Sequence, residues 1–179
     1  MRKVLVITYY WPPAGGPGVQ RWLKFVKYLR NFDVETVVYT VDNAKYETED
    51  ETLQNQVPTS TEIIKKSIKE PNNLFSNFAS QSKKTSAGFL DANPSLFGKL
   101  MQYIRANYFI PDARKFWIKP SVQFLTKYLS NNKIDLIITT GPPHSLHLIG
   151  LKLKQKLAIK WIADFRDPWT EIDYFHQLP

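Results

Sequence analysis

Three short segments hold the residues whose types and spacing suit chemistry. They are the glycine segment (residues 11–18), the His144 turn (residues 141–145) and the charged segment (residues 164–169). Glycines let backbone N–H groups approach an anion at the start of a helix. An imidazole exchanges protons near neutral pH. The three segments together therefore predict a site for a polar or phosphate-bearing ligand.

The glycine segment resembles phosphate-binding loops only in part. It lacks the Lys-Ser/Thr ending of a P-loop, because Val19 follows Gly18. Gly16 and Gly18 match two of the three glycines of the dinucleotide fingerprint, and Asp42 lies about the expected ~20 residues further on. Arg21 stands where that fingerprint needs Gly or Ala. The residues of this segment leave two interpretations open. One is a dinucleotide-binding domain using Gly16, Gly18 and Asp42, and the other is a simple strand-to-helix turn.

His144 is the candidate catalytic group of its turn. It follows two prolines at the end of an aliphatic run and precedes an apolar helical pattern. A polar group held for a ligand is one interpretation, and a helix-capping imidazole is the other. His147 lies one helical turn away, but no cysteine or suitably spaced carboxylate completes a zinc site, so no metal is expected.

The charged segment places three charged side chains within four residues. Asp167 precedes Pro168 and is expected to cap a helix. Capping leaves Asp164 and Arg166 unexplained, and both are candidates for lining a cleft. The chain contains no Asp-x-Asp sequence, which many nucleotide-sugar enzymes use to hold a metal.

Hydrophobic periodicity predicts the elements that position these segments. Continuous aliphatic runs predict buried strands, and apolar residues at three- and four-residue spacing predict helices. The predicted strands are 3–8, 35–40, 61–66, 134–140 and 159–163, and the predicted helices are 19–30, 95–108, 120–129 and 146–157. This alternation predicts an α/β, Rossmann-like doubly wound fold with a mainly parallel sheet. Functional groups in such folds gather at the carboxyl ends of the strands, where all three segments fall.

Two stretches carry no such periodicity. Residues 42–60 are acidic and polar and are expected to form a solvated surface loop, and residues 71–94 are expected to be a mobile insertion. All 179 residues are expected to form one domain, 1–179, that includes this insertion.

The composition of the chain limits the kinds of partner that it is expected to bind. The formal net charge of +8 favours anionic partners, while no helix-turn-helix or base-stacking signature points to nucleic acid. No apolar run reaches the ~18 residues of a membrane span. Phe97, Met101, Ile104 and Tyr108 beside Lys99 and Arg105 suggest at most peripheral docking on anionic lipid, with burial of that helix against the sheet as the alternative. A cytoplasmic protein, possibly peripheral at the inner membrane face, is expected.

The three segments, in this order and at these strand ends, resemble the N-terminal domain of glycosyltransferase family 4. Members are retaining enzymes of the GT-B fold, with two Rossmann-like domains facing across a cleft. Residues 110–112 with Trp117 are also similar to a subfamily of bacterial surface-polysaccharide synthesis. The resemblance implies sugar transfer from a nucleotide-sugar donor to a saccharide or lipid-linked acceptor, without cofactor or metal.

The resemblance also implies roles for individual residues. The backbone of Gly15, Gly16 and Gly18 would face the donor diphosphate, and His144 would contact the transferred sugar or orient the acceptor. Four charged residues would line the acceptor side of the cleft: Arg21, Asp164, Arg166 and Asp167. The donor-gripping domain would follow Pro179, so residues 1–179 alone are expected to be inactive.

Overall fold

The computed structural model describes residues 1–42, 44, 46–68, 100, 103–104 and 107–167. The insertion predicted at 71–94 lies outside these residues. So do Phe97, Lys99, Met101 and Arg105 of the proposed lipid-docking helix, and the end of the charged segment from Pro168 onward.

Five parallel strands form one sheet in the described part of the chain. They are β1 (Arg2–Ile7), β2 (Val34–Val41), β3 (Glu62–Lys66), β4 (Leu136–Gly141) and β5 (Lys160–Phe165). Their order is β3-β2-β1-β4-β5. This is the strand order of a doubly wound Rossmann-like sheet, so the predicted fold class is confirmed.

The sheet is buried on both sides because its central strands are aliphatic throughout. Alternate residues of a strand point to opposite faces. Val4 and Val6 of β1 contribute to one core, and Leu5 and Ile7 contribute to the other. All four side chains are buried.

In the part of the chain that the structure describes, three α-helices cover the two faces. They are α1 (Pro17–Leu29), α2 (Ile118–Asn131) and α3 (Ser145–Leu157). Helix α1 buries Trp22, Leu23 and Val26 on the Val4 face, while α2 and α3 pack on the Leu5 face through residues such as Leu125 and Leu146. The apolar spacing that predicted each of these helices therefore marks the face that it buries.

A reciprocal pair of hydrogen bonds joins the N-terminal ends of β1 and β4. The Lys3 amide donates to the Asp135 carboxylate, and the Asp135 amide donates to the Lys3 carbonyl, each at 2.8 Å. The register that follows pairs Val4 with Leu136 and Ile7 with Thr139. This clamp fixes how the two central strands line up.

The acidic stretch predicted to be a solvated loop is partly folded onto the domain. It forms a 3-10 helix, Glu51–Gln56, that buries Leu53. Immediately before it, the Thr48 carbonyl accepts from the Gly15 amide at 2.9 Å, and the Asp50 amide donates to the Pro13 carbonyl at 2.7 Å. The expected solvated surface loop is therefore only partly solvated, because it buries Leu53 and supports the glycine segment.

The last strand is less buried than its aliphatic sequence predicts. β5 is an outer strand among the described residues, and Ile162 and Phe165 are each about half exposed. A run of apolar residues predicts a strand, but it does not tell a central strand from an edge strand. The strand also extends through Phe165, so Asp164 belongs to β5 and does not follow it.

Candidate functional site

The three segments meet at the carboxyl edge of the sheet around the topological switch point. β1 and β4 are neighbours, and the chain leaves them in different directions, toward α1 and toward α3. Such a divergence opens a crevice outside the strand ends, which is where open α/β sheets bind ligands. β5 lies next to β4 and brings the charged segment to the same edge.

The glycine segment enters α1 through a left-handed residue. Gly16, at the N-cap, has φ 98°, a conformation that side chains rarely adopt, and Pro17 occupies the first turn. The Gly15 amide donates to the Thr48 carbonyl. This N–H therefore holds the glycine segment in place. Gly18 lies within the first turn of α1, where the partial positive charge of the helix is concentrated.

Arg166 of the charged segment lies directly over Gly18. A Cβ built on Gly18 would fall 1.8 Å from Arg166 Nη1, so only glycine leaves room for the guanidinium there. Arg166 also forms an ion pair with Asp167, at 3.1 Å between Nη2 and Oδ2. The structure thus brings a permanent cation to the positive end of α1, and the pair is partly exposed to solvent.

Asp164 lies at the centre of a separate network. Its carboxylate accepts two hydrogen bonds from the Arg21 guanidinium at 2.8 Å, one from Trp22 Nε1 at 3.0 Å and one from Thr140 Oγ1 at 2.9 Å. Burial by itself would raise the pKa of this carboxyl, but the hydrogen bonds from Arg21, Thr140 and Trp22 outweigh it and hold the pKa below its usual value. The network connects α1, β4 and β5.

Arg21 and Asp164 connect helix α1 to strand β5. Their bidentate pair uses both Asp164 oxygens, and Arg21 remains about a third exposed. Both residues are predicted from the sequence to line the acceptor side of a cleft. The structure brings them together as one neutralised connection between helix and strand.

On the opposite face of the sheet, the His144 turn brings two imidazoles together over Gly141. A Cβ on Gly141 would lie 2.7 Å from His147 Nε2, 3.1 Å from His144 Nδ1 and 3.4 Å from the Pro143 carbonyl oxygen. The Phe165 ring stacks near both imidazoles, with centroid distances of 4.0 Å to His147 and 6.0 Å to His144. Three polar atoms therefore converge at the end of β4.

His147 is the more enclosed of the two imidazoles. Its side chain is 5% exposed, and its Nδ1 lies 2.9 Å from Thr139 Oγ1, which also accepts from Trp161 Nε1 at 2.9 Å. Burial, with a smaller contribution from His144, lowers the pKa of His147 to about 4. Burial also lowers the pKa of His144, against the opposing charges of Asp112 and Asp167. Both shifts favour the neutral form of the imidazole.

Asp112 is a supporting residue that the sequence analysis named only as part of the 110–112 motif and gave no role in the site. One of its carboxylate oxygens accepts from the Arg114 amide at 2.8 Å and caps the 3-10 helix Ala113–Trp117. The other accepts from the Ser145 amide at 2.8 Å and so holds the first turn of α3 beside His144. An aspartate preceding a short helical segment is the local signal that would have identified the first bond. The second depends on tertiary placement.

Within the described ranges, no group of three or more His, Cys, Asp or Glu side chains is arranged to hold a metal ion. No helix in that part of the chain is long and apolar enough to cross a bilayer.

No protein-family model matches the sequence, and the search of curated proteins finds no match. Several solved structures resemble the fold, and two of them are described here. One is the C-terminal domain of a hydrogenase from Pyrococcus furiosus, with a TM-score of 0.48, 14% identity, and coverage of 91% of this chain and 90% of that one. The other is apo UGT2 of Phytolacca americana, with a TM-score of 0.47, 12% identity, and coverage of 92% of this chain and 29% of that one. Likenesses at this level carry nothing about activity, so the fold assignment rests on the strand order of this chain.

Proposed function

We propose that this chain is the N-terminal, acceptor-side domain of a retaining glycosyltransferase that moves a sugar from a nucleotide-sugar donor to a saccharide or lipid-linked acceptor. The observation that carries the proposal is the meeting of Gly18 with Arg166 and of Gly141 with two imidazoles at one sheet edge. These residues come from the three segments that resemble glycosyltransferase family 4.

The Gly18 side of the site suits the departing diphosphate. A guanidinium stays charged at any physiological pH and presents paired donors that match phosphate oxygens. Arg166 adds this charge to the positive end of α1, which attracts anions through its own unpaired amides. Stabilising the leaving group is the main electrostatic task in a transfer that uses no metal.

The His144 side suits the sugar. A neutral imidazole accepts at one ring nitrogen and donates at the other, which matches the hydroxyl groups of a carbohydrate. His144 is the N-cap residue of α3, between the end of β4 and the helix, beside the half-exposed Phe165 ring. In this proposal His144 contacts the transferred sugar or orients the acceptor hydroxyl.

The dinucleotide-binding alternative has one observation in its favour. Asp42 follows β2 directly, where a ribose-binding carboxylate stands in Rossmann domains. The glycines argue against it, because that fingerprint begins immediately after the first strand. Here residues 8–15 separate Ile7 from Gly16, and Arg21 lies at the third glycine position.

The direct test is sugar transfer by the complete natural polypeptide, with and without His144→Ala. Loss of one positioned group should lower the rate by roughly 10- to 1,000-fold while the melting temperature stays close to that of the parent. Product analysis by NMR should show that the anomeric configuration is retained. A variant with a lower melting temperature and normal activity per folded molecule would remove His144 from the site.

Binding of NADH and hydride transfer would instead support the dinucleotide-binding alternative.

A further inference from the structure

The outward side of helix α1 carries an aromatic cluster. Phe25 and Tyr28 of α1 are 45% and 52% exposed, and Phe32 of the 3-10 helix just after it is 76% exposed. Spacings of three and four residues put these rings on one side of the helix, away from the buried Leu23 and Val26. Soluble proteins seldom present a cluster of this kind to water without a partner for it. We call these three residues the α1 aromatic face.

The α1 aromatic face surrounds an open depression rather than an enclosed pocket. Leu29, Arg21 and Lys24 complete its lining. The two phenylalanines and Leu29 offer no hydrogen-bonding group to a ligand, so the centre of the depression suits hydrocarbon. The Phe25 ring rests on the buried Trp22 ring, with 5.3 Å between centroids, which holds it in place from below.

The charges around the α1 aromatic face have a single sign. All four charged side chains of residues 17–32 are basic: Arg21, Lys24, Lys27 and Arg30. The Arg21 charge is neutralised by Asp164, whereas the Lys24 ammonium donates to the uncharged side-chain amide of Gln56 at 2.7 Å. Lys24, Lys27 and Arg30 are exposed and keep a positive potential beside the rings.

This charge decides between the partners that could cover the face. A second copy packed by two-fold symmetry would bring the same basic residues face to face, which is unfavourable. An anionic lipid surface attracts them instead. Aromatic residues beside Lys and Arg are also the composition with which surface helices bind anionic lipid, since the rings enter the acyl boundary while the charged heads reach the phosphates.

We propose that the α1 aromatic face docks on an anionic lipid surface, with its three rings at the headgroup boundary and Lys24, Lys27 and Arg30 against the lipid phosphates. The sequence analysis suggested peripheral docking through a different helix, 95–108. The inference stands on α1 alone and does not depend on the proposed sugar transfer. For a lipid-linked acceptor, this contact would hold the domain at the surface that carries the acceptor.

The test is co-sedimentation of the 179-residue chain with vesicles. One set is phosphatidylcholine alone, and in the other about a third of the lipid is phosphatidylglycerol. The chain should bind the anionic set only, and added salt should weaken the binding. The double variant Phe25→Ser, Phe32→Ser should lower the partition constant by about tenfold or more, because it removes the apolar groups that enter the bilayer. Both side chains are exposed, so the melting temperature should stay close to that of the parent.

A matched pair of lysine variants separates a local contact from net charge. Lys24→Gln with Lys27→Gln should weaken binding to the anionic vesicles by roughly 30-fold. Lys152→Gln with Lys156→Gln removes the same charge from exposed positions of α3, on the opposite face of the sheet. This control pair should change the partition constant by about twofold at most, since charges beyond the screening length contribute little.

A fluorescent label gives the orientation directly. The sequence contains no cysteine, so one introduced thiol carries an environment-sensitive dye at a single position. The dye on Tyr28→Cys should shift its emission to shorter wavelength when anionic vesicles are added. The same dye on Gln155→Cys, at an exposed position of α3, should not respond.

Four results would overturn the inference. They are no binding to anionic vesicles, equal losses in the two lysine pairs, binding unaffected by Phe25→Ser with Phe32→Ser, and equal dye shifts at positions 28 and 155. A dimer in sedimentation velocity that this phenylalanine variant abolishes, without vesicle binding, would assign the face to a second copy of the chain. None of these results bears on Gly18, Arg166 or His144, so the proposed function is tested separately.

Discussion

The guanidinium of Arg166 occupies the volume that a side chain at Gly18 would require, since a Cβ there would lie 1.8 Å from Nη1. The two residues are far apart in sequence, and each comes from a different segment of the candidate site. Their contact means that a neighbouring side chain, Arg166, requires glycine at this position.

Gly18→Ala should therefore act as a displacement of Arg166. The atom in the way is the end of a flexible side chain, so the guanidinium can swing aside and stability should change little. Affinity for inorganic diphosphate should fall by roughly 10- to 100-fold, the effect of losing one hydrogen-bonded charge. Isothermal titration calorimetry measures the affinity, and thermal unfolding measures the stability.

A double-mutant comparison provides the control. Arg166→Ala should produce a similar loss, and the double variant Gly18→Ala, Arg166→Ala should lose no more than either single variant. Additive losses would show that the two residues bind the anion independently, against this account.

Gly150→Ala should destabilise the fold. Gly150 lies in α3 against β5, and a Cβ would fall 2.3 Å from Trp161 Nε1 and 2.8 Å from Thr139 Cγ2. Overpacking of this kind costs about 1–3 kcal/mol and should exceed the gain of about 1 kcal/mol from the better helix propensity of alanine. Urea unfolding measures the difference in the free energy of unfolding between the parent and Gly150→Ala. Gln155→Ala, at an exposed position of the same helix, should be neutral or stabilising.

Asp164→Asn should remove a pH-dependent part of the stability. The carboxyl has a lowered pKa in the folded state, so it stabilises the fold above its unfolded pKa of ~3.9, and the contribution is lost as the pH falls through the folded value. We expect a loss of about 1–2 kcal/mol at pH 7, discounted for the partial exposure of Arg21. The parent and the variant should converge below about pH 4 in urea titrations.

Asp167→Asn is the matched control for that experiment. Asp167 is more exposed and pairs with a neighbouring side chain, so its removal should change stability by no more than about 0.5 kcal/mol. An unchanged gap between parent and Asp164→Asn down to pH 2 would contradict the assignment of the ion pair.

His147→Gln should flatten the stability profile on the acid side. The folded pKa of about 4 lies below the ordinary 6.5, so the unfolded chain binds more protons and the parent loses stability as the pH falls from 6.5 to 4. The loss is on the order of 3 kcal/mol for this one ring. The variant has no such group, so its slope over this interval should be smaller, whatever its absolute stability. Equal slopes would show that His147 titrates normally.

Much of the fold could be predicted because each element depends on local pattern. The aliphatic run ending at Gly141 and the helical spacing of Leu146, Ile149 and Leu153 identify β4 and α3 whatever their neighbours are. Parallel strand ends share one edge, so the clustering of the three segments also followed from sequence. The exposure of β5 did not, because it depends on the position of the strand in the sheet.

The contacts inside the site were harder to predict. The pairing of Arg21 with Asp164 joins residues 143 positions apart and requires α1 to lie beside β5. In the sequence both residues are candidates for lining a cleft, and no local pattern pairs one with the other. Likewise, the chain from Trp161 through Thr139 to His147 depends on how α3 is rotated against two strands. The one local signal was the spacing of His144 and His147, which places them on the same side of a helix.

The clamp between Lys3 and Asp135 lies at the end of β1 and β4 remote from the candidate site, yet the geometry of that site depends on it. A strand is nearly inextensible along its length, so a slip of one residue at Asp135 would carry the His144 turn about 3.3 Å past the glycine segment and turn its residues to the opposite face. The pairing at Asp135 therefore sets the position of every later residue of β4 relative to β1. Searches for inactive variants in such a protein should include residues like Asp135, whose side chain never meets a ligand.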